Sequence, residues 1–226
     1  MAIDTGFDES AAEGAFATIA ALAEIDDLGR VADAYRETMR AAYWDDKDVH
    51  IVVAVAYAGV SRLLTEAARV DVDDETEYAL RSAAKGLTYD LASFTWVGWD
   101  ELGIEVSPSE RAAGLAAARS NLAMAYSLDK GDLAISRAHW MLGAHLLTAG
   151  DTVNPAGAFE QAARHARMTD EDADTALSEA FIALAGLAGG SASAAEYENA
   201  LEALRGVDGG SDLAPQVDTA RSVIGV

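Results

Sequence analysis

"IVVAVAYAGVSRLLTEAARV" (Ile51–Val70) is the stretch on which the fold class turns. Its first ten residues are an unbroken apolar run rich in β-branched side chains, which is also the composition of a strand buried on both faces. Buried strands end at a turn after about four to eight residues. This run instead continues through "SRLLTEAARV" with no proline and no turn cluster, a length that only a buried helix accommodates. No other stretch sustains apolar–polar alternation between turns. The chain is therefore read as all-α, with about ten helices and no sheet.

Composition agrees. The chain has 226 residues, 51% of them hydrophobic, and fifty of the total are alanine. Alanine has the best intrinsic helix propensity and lets helices approach closely. Only three prolines interrupt the chain.

Helix starts and stops are legible on either side of the opening stretch. Helices are expected near Asp8–Ile25, Leu28–Trp44, Asp48–Arg69 and Asp74–Ser93. Ser107-Pro108-Ser109-Glu110 combines a serine cap, a proline at the first helical position and a glutamate three residues after the cap. That start signal opens a helix to about Leu128. "DKGD" (Asp129–Asp132) turns the chain into a helix over Leu133–Ala149. "GDTVNP" (Gly150–Pro155) follows, with Asn154 read as the cap of a helix to about Met168. Thr169-Asp170-Glu171-Asp172 places caps and acids at the positive end of a helix reaching Leu187. Ser193 and Glu196 repeat the capping-box spacing, and a short helix over Asp212–Val223 closes the chain. The expected organisation is one unit, 1–226, of stacked antiparallel helical hairpins: 8–44, 48–93, 108–149, 154–188 and 192–224. The only long connection lies between Phe94 and Val106.

The charge balance is lopsided, with 16 basic against 38 acidic residues and a net charge of −22. Such a surface repels phosphate backbones and anionic membranes, so neither nucleic acid nor a membrane is an expected partner. Only Lys47, Lys85 and Lys130 are lysines, against thirteen arginines. High-salt adaptation and a GC-rich genome both produce that bias. The absence of cysteine removes disulfides, thiolate metal sites and cysteine nucleophiles. "MAIDTGFDES" has neither the basic region nor the apolar core of a secretory signal, and the longest apolar run is about half a membrane span. The expected location is the cytoplasm.

Three segments echo one another: "VAVAY" (Val53–Tyr57), "LAMAY" (Leu122–Tyr126) and "LGAHL" (Leu142–Leu146). Each reads as a small-residue notch between larger packing knobs, where a neighbouring helix crosses closely. Gly131-Asp132 and Gly150-Asp151 supply turns after two of them. Leu142, Gly143, Leu146, Phe159 and Ala162 fall at the spacings of the tetratricopeptide repeat, which this arrangement resembles. Trp140 stands one residue from that family's tryptophan position, and Pro155 occupies a position the family keeps small. Between Ala54 and Ala123 lie two repeat lengths, but Ala123 and Gly143 are only 20 residues apart. Another all-α bundle remains the alternative. The resemblance implies a superhelical stack with a concave groove for a peptide or protein, lined by Ser120, Asn121, Met124 and Trp140.

Catalytic motifs are not evident. Of His50, His139, His145 and His165, no pair has the four-residue spacing of a helical metalloprotease site, and no Glu-x-x-His occurs. "DVDDETE" (Asp71–Glu77) is loosely reminiscent of magnesium-binding acids, but helix capping accounts for Asp73 and Asp74. Gly59-Val60-Ser61 lacks the trailing glycine of a nucleophile elbow. Gly189-Gly190 and Gly209-Gly210 lack a phosphate-loop lysine and read as helix terminators. No catalytic, cofactor or metal residue is assigned.

"FTWVGWDELGI" (Phe94–Ile104) carries half of the chain's four tryptophans in its long connection. Large apolar anchors suit an irregular connection, Gly98 permits a bend, and indole N–H groups can satisfy loop carbonyls. Alternatively, Trp96 and Trp99 wall a pocket, with Asp100 beside them. The expected function is a non-enzymatic protein- or peptide-interaction module with a basic or cationic partner or a second copy of itself. The alternative is a small-molecule-binding or enzymatic α-domain with its pocket at Trp96–Trp99.

Overall fold

Carboxylates and serines placed just ahead of apolar periodic segments set where this chain becomes helical. The computed structural model describes residues 9–69, 71–169 and 171–226. Ten helices occupy them: α1 (Glu9–Ala23), α2 (Leu28–Trp44), α3 (Val49–Ala67), α4 (Asp74–Phe94), α5 (Pro108–Ser127), α6 (Asp132–Thr148), α7 (Asn154–Ala166), α8 (Asp172–Ala188), α9 (Ala194–Arg205) and α10 (Gly210–Ile224). One 3-10 turn, Val97–Trp99, lies between α4 and α5, and no strand occurs among the described residues. Asp27, Asp48 and Asp73 each accept a backbone N–H at the start of α2, α3 and α4. Ser107 with Glu110 and Ser193 with Glu196 form complete capping boxes at α5 and α9. Each such cap satisfies N–H groups that the helix itself cannot, which stabilises it by about 1 kcal/mol.

Several boundaries shift by one or two residues, as at the ends of α1, α3 and α7, and two starts differ for a reason the structure gives. Asn154 is not the cap of α7 but its first residue. Asp151 does the capping, accepting the N–H of Val153 at 2.9 Å and that of Asn154 at 3.0 Å. α10 begins two residues earlier than expected, at Gly210, where a Cβ would sit 1.8 Å from the Leu204 carbonyl oxygen. Only glycine permits that approach. Asp170 of the expected α8 cap lies outside the described residues, as do the first eight residues.

Each helix packs on its successor, and α2, α4, α6, α8 and α10 also pack one on the next. α1, α3 and α5 form a second row of neighbours, and α10 additionally reaches the 3-10 turn and α6. One contiguous apolar cluster runs through the molecule, with a buried residue from every helix. Within it α3 contributes Val52, Val55, Ala56 and Leu63, all fully enclosed. The opening stretch is thus a core helix. Contrary to the count of its apolar run, α3 is long and apolar enough to cross a membrane, the one such helix among the described residues, but core helices pass the same test. Arg62 on its far side closes the end of α1 by donating to the carbonyls of Leu22 and Ile25.

Not all of the close approaches are made by the small residues of the echoed segments. Gly143 does meet Phe159, which an added Cβ would approach to 2.8 Å. Ala123, by contrast, is exposed, and Tyr57 and Tyr126 are each 48% exposed, so neither tyrosine is a packing knob. The tight crossing of α3 is at Gly59, where a Cβ would come within 2.8 Å of Tyr35 and 2.7 Å of Leu87. α5 makes its own at Gly114, against Thr95 and His145.

Trp96 ties the connection after α4 to α6 and α8. It is 1% exposed, and its indole N–H donates to the Ala144 carbonyl on α6 at 3.0 Å. Its ring meets Trp99 and Trp140 edge-on at 4.6 and 5.4 Å. Gly98 lies directly against that ring, where a Cβ would be 2.2 Å from it. Trp96→Ala leaves a cavity at this junction and removes one of the hydrogen bonds to the Ala144 carbonyl, and it should lower unfolding free energy by about 3–5 kcal/mol in urea titration.

Candidate functional site

The aromatic junction has one face that is filled and one that is open. Trp96 is on the filled side. Trp99, half-buried, donates its indole N–H to the Ser93 carbonyl at 2.8 Å, which holds the 3-10 turn against the end of α4. Asp100 takes a left-handed conformation (φ 49°) and ends the turn, its side chain exposed. Both indole nitrogens therefore serve the connection.

The open side is a hollow of about 240 Å³. It is walled by Tyr89 of α4, Trp99, Arg137 and Trp140 of α6, Leu177 of α8 and Leu213 of α10. Trp140 is 7% exposed, and its indole N–H is buried without a hydrogen-bond partner among the described residues. A donor left in that state costs about 1–3 kcal/mol. The serines in the same wall are already committed: Ser136 donates to the Ala162 carbonyl and Ser178 to that of Asp174, both at 2.8 Å.

A second hollow, of about 330 Å³, adjoins the first through the shared residues Tyr89 and Arg137. It adds Lys85, Lys130, Leu133 and Ala134. Two of the chain's three lysines thus meet an arginine in one place on a molecule of net charge −22. Lys130 is held by the hydroxyls of Tyr78 and Ser82 and lies over the Tyr78 ring at 4.4 Å. Arg137 grips Asp174 with two hydrogen bonds, 2.9 and 3.1 Å, and its remaining Nη1 is uncommitted among the described residues. Desolvation, and then the neighbouring Lys130 charge, lower the pKa of Lys85. Burial foremost raises that of the Tyr89 phenol, although Arg137 opposes the shift. A lysine destabilised by a like charge gains from an anion, and a phenol kept protonated remains a donor.

Chemically, the paired hollows present donors and positive charge over an apolar floor. Lys85, Arg137 and the Tyr89 hydroxyl suit a carbonyl or carboxylate, while Trp99, Trp140, Leu177 and Leu213 suit an apolar body. No group of three or more His, Cys, Asp or Glu side chains gathers as a metal site among the described residues.

Of the residues singled out from sequence, Trp99 and Trp140 come together here, with ring centroids 6.3 Å apart. Trp96 backs them but is enclosed. Asn121 does not line a groove: it is fully buried, donating to the Lys85 carbonyl at 2.8 Å and so pinning α5 to α4. Ser120 is exposed on α5 and Met124 is half-buried against the core, and neither lines the hollows. Sequence reasoning missed Lys85, Tyr89, Lys130, Arg137, Asp174, Leu177 and Leu213. The rarity of lysine was the one signal that pointed toward two of them.

No family model, curated protein or solved structure matches the chain.

His145, behind the junction, is 4% exposed and donates from Nε2 to the Ala92 carbonyl at 2.8 Å. Burial holds its pKa down at about 4, against 6.5 for a free imidazole. Its folded form is neutral, so between those values the unfolded chain binds the extra proton. Stability is then full above about pH 6.5 and falls as pH drops toward 4, by on the order of 3 kcal/mol from this group. In His145→Gln, which retains a donor but does not titrate, denaturation midpoints should show a correspondingly shallower loss over that interval.

Proposed function

We propose that this protein is a non-enzymatic protein- or peptide-binding module whose anchoring site is the pair of hollows between α4, α6, α8 and α10. The observation that carries the reading is the gathering of Lys85, Lys130 and Arg137 beside the aromatic wall of Trp99 and Trp140 on a molecule of net charge −22. A ligand carboxylate relieves the repulsion between Lys85 and Lys130.

The aromatic hollow, at about 240 Å³, suits one apolar side chain with its peptide group, and the cationic hollow takes the adjoining acceptor. The partner's two charge requirements separate in space. The acidic exterior steers a basic segment toward the molecule, an attraction that salt weakens. The hollows select an acceptor at the anchor itself.

A displayed library of short peptides selected on the full chain tests the proposal. The enriched peptides should carry an acidic residue or free C-terminal carboxylate beside an apolar side chain. Their affinity should fall at least about tenfold in Leu177→Trp, which fills the aromatic hollow, and in Lys85→Met, which removes the ammonium group. A library that yields no binder, or binders indifferent to both substitutions by calorimetry, overturns the reading.

A further inference from the structure

Away from the hollows, α5, α6 and α7 bring together four chemistry-bearing side chains from distant parts of the chain. Tyr126 of α5 stands with its hydroxyl 2.9 Å from Nε2 of His139 on α6 and 3.2 Å from Nε2 of His165 on α7. The two imidazole rings are near-parallel, 12° apart, with centroids separated by 5.9 Å. On the far side of His165, Nδ1 lies 2.7 Å from the Asp132 carboxylate at the start of α6. Tyr126 is 48% exposed, so the point where the two nitrogens converge is open to solution.

We propose that Tyr126, His139 and His165 bind a divalent transition-metal ion, with Zn²⁺ the best match, and that Asp132 orients His165 for the task. Imidazole nitrogen and phenolic oxygen are donors of the hardness such ions accept, whereas Mg²⁺ and Ca²⁺ require oxygen shells. The spacing agrees. Bonds of about 2.0–2.1 Å in a tetrahedral shell put neighbouring donor atoms about 3.3 Å apart. The phenol oxygen already lies 2.9 and 3.2 Å from the two nitrogens. Three protein donors leave a fourth position for water.

The tautomers agree as well. A carboxylate on Nδ1 of His165 fixes the proton there and leaves the Nε2 lone pair facing Tyr126, the outer-shell arrangement that metal-binding histidines use. The Tyr126 hydroxyl has one proton and can donate to only one imidazole. In the metal-free state, with His165 accepting it, His139 supplies an Nε2–H. Metal uptake moves that proton to Nδ1 through solvent, frees the second lone pair, and releases the phenol proton to solvent as the Tyr126 oxygen binds. The net charge of −22 raises the local concentration of any cation. That same charge is the source of false positives, because scattered carboxylates adsorb cations weakly.

Calorimetric titration of the full chain with ZnCl₂ in excess Mg²⁺ separates the two. The wild type should take up one Zn²⁺. His139→Ala and His165→Ala should each weaken it at least about 100-fold, and Asp132→Asn, which keeps both nitrogens, about tenfold. In the wild type, Zn²⁺ should shift the ring nitrogens of His139 and His165 in long-range ¹H–¹⁵N spectra and leave those of His50 and His145 in place. No uptake by the wild type, equal uptake by the two histidine variants, or unmoved ring nitrogens on Zn²⁺ addition would each overturn the proposal.

Discussion

The burial of one indole at the break between α4 and α5 is the constraint on which the rest of this structure depends. The connection after α4 has no regular hydrogen bonding of its own beyond one 3-10 turn. An irregular segment inside a helical stack must satisfy its backbone and fill the space that a missing helix leaves. Trp96 fills the space, and its N–H reaches across to the Ala144 carbonyl on α6. Trp99 does the equivalent locally by donating to Ser93. With the break held in this way, α10 returns from the end of the chain to pack on the turn and on α6 and α8. The hollow beside Trp140 exists because those elements meet there without filling the last of the volume between them.

Charge has to be read at two scales in this molecule. A net charge of −22 describes what a distant partner feels and determines long-range steering. Within a groove, the nearest few groups dominate, because an interaction screened over about 8–10 Å in salt does not carry the exterior's charge into a recess. Lys85, Lys130 and Arg137 outnumber the acids at that recess, where Asp174 pairs with Arg137 and Asp90 acts on Lys85. An acidic protein thus carries a site for an acceptor or anion. The basic partner expected from composition alone describes the exterior and not the hollows.

Caps illustrate what was legible beforehand. Asp48, Asp73, Ser107 and Ser193 act on N–H groups two or three residues away, so chain order contains the whole interaction. The exception, Asn154, was misread because two residues able to cap lie three apart, and the one chosen depends on where the chain arrives from α6. The echoed notches misled for a related reason. A small residue marks a place where a helix can cross, but whether one does depends on the helix's rotation about its axis. That rotation buries Gly59 and Gly143 and leaves Ala123 facing solvent.

The sequence by itself determined that this chain is all-helical, where nearly every helix begins and ends, and that its exterior is strongly acidic. Those properties come from propensity, capping and composition, which act over a few residues or over the whole chain at once. Only the tertiary structure decided which side chains share a site. Lys85 and Arg137 are 52 positions apart, and Tyr126 and His165 are 39, and no local rule relates them. They meet because packed helices allow only certain rotations and offsets, and those are set by the fit of Trp96, Gly59, Gly114 and Gly143 into their neighbours.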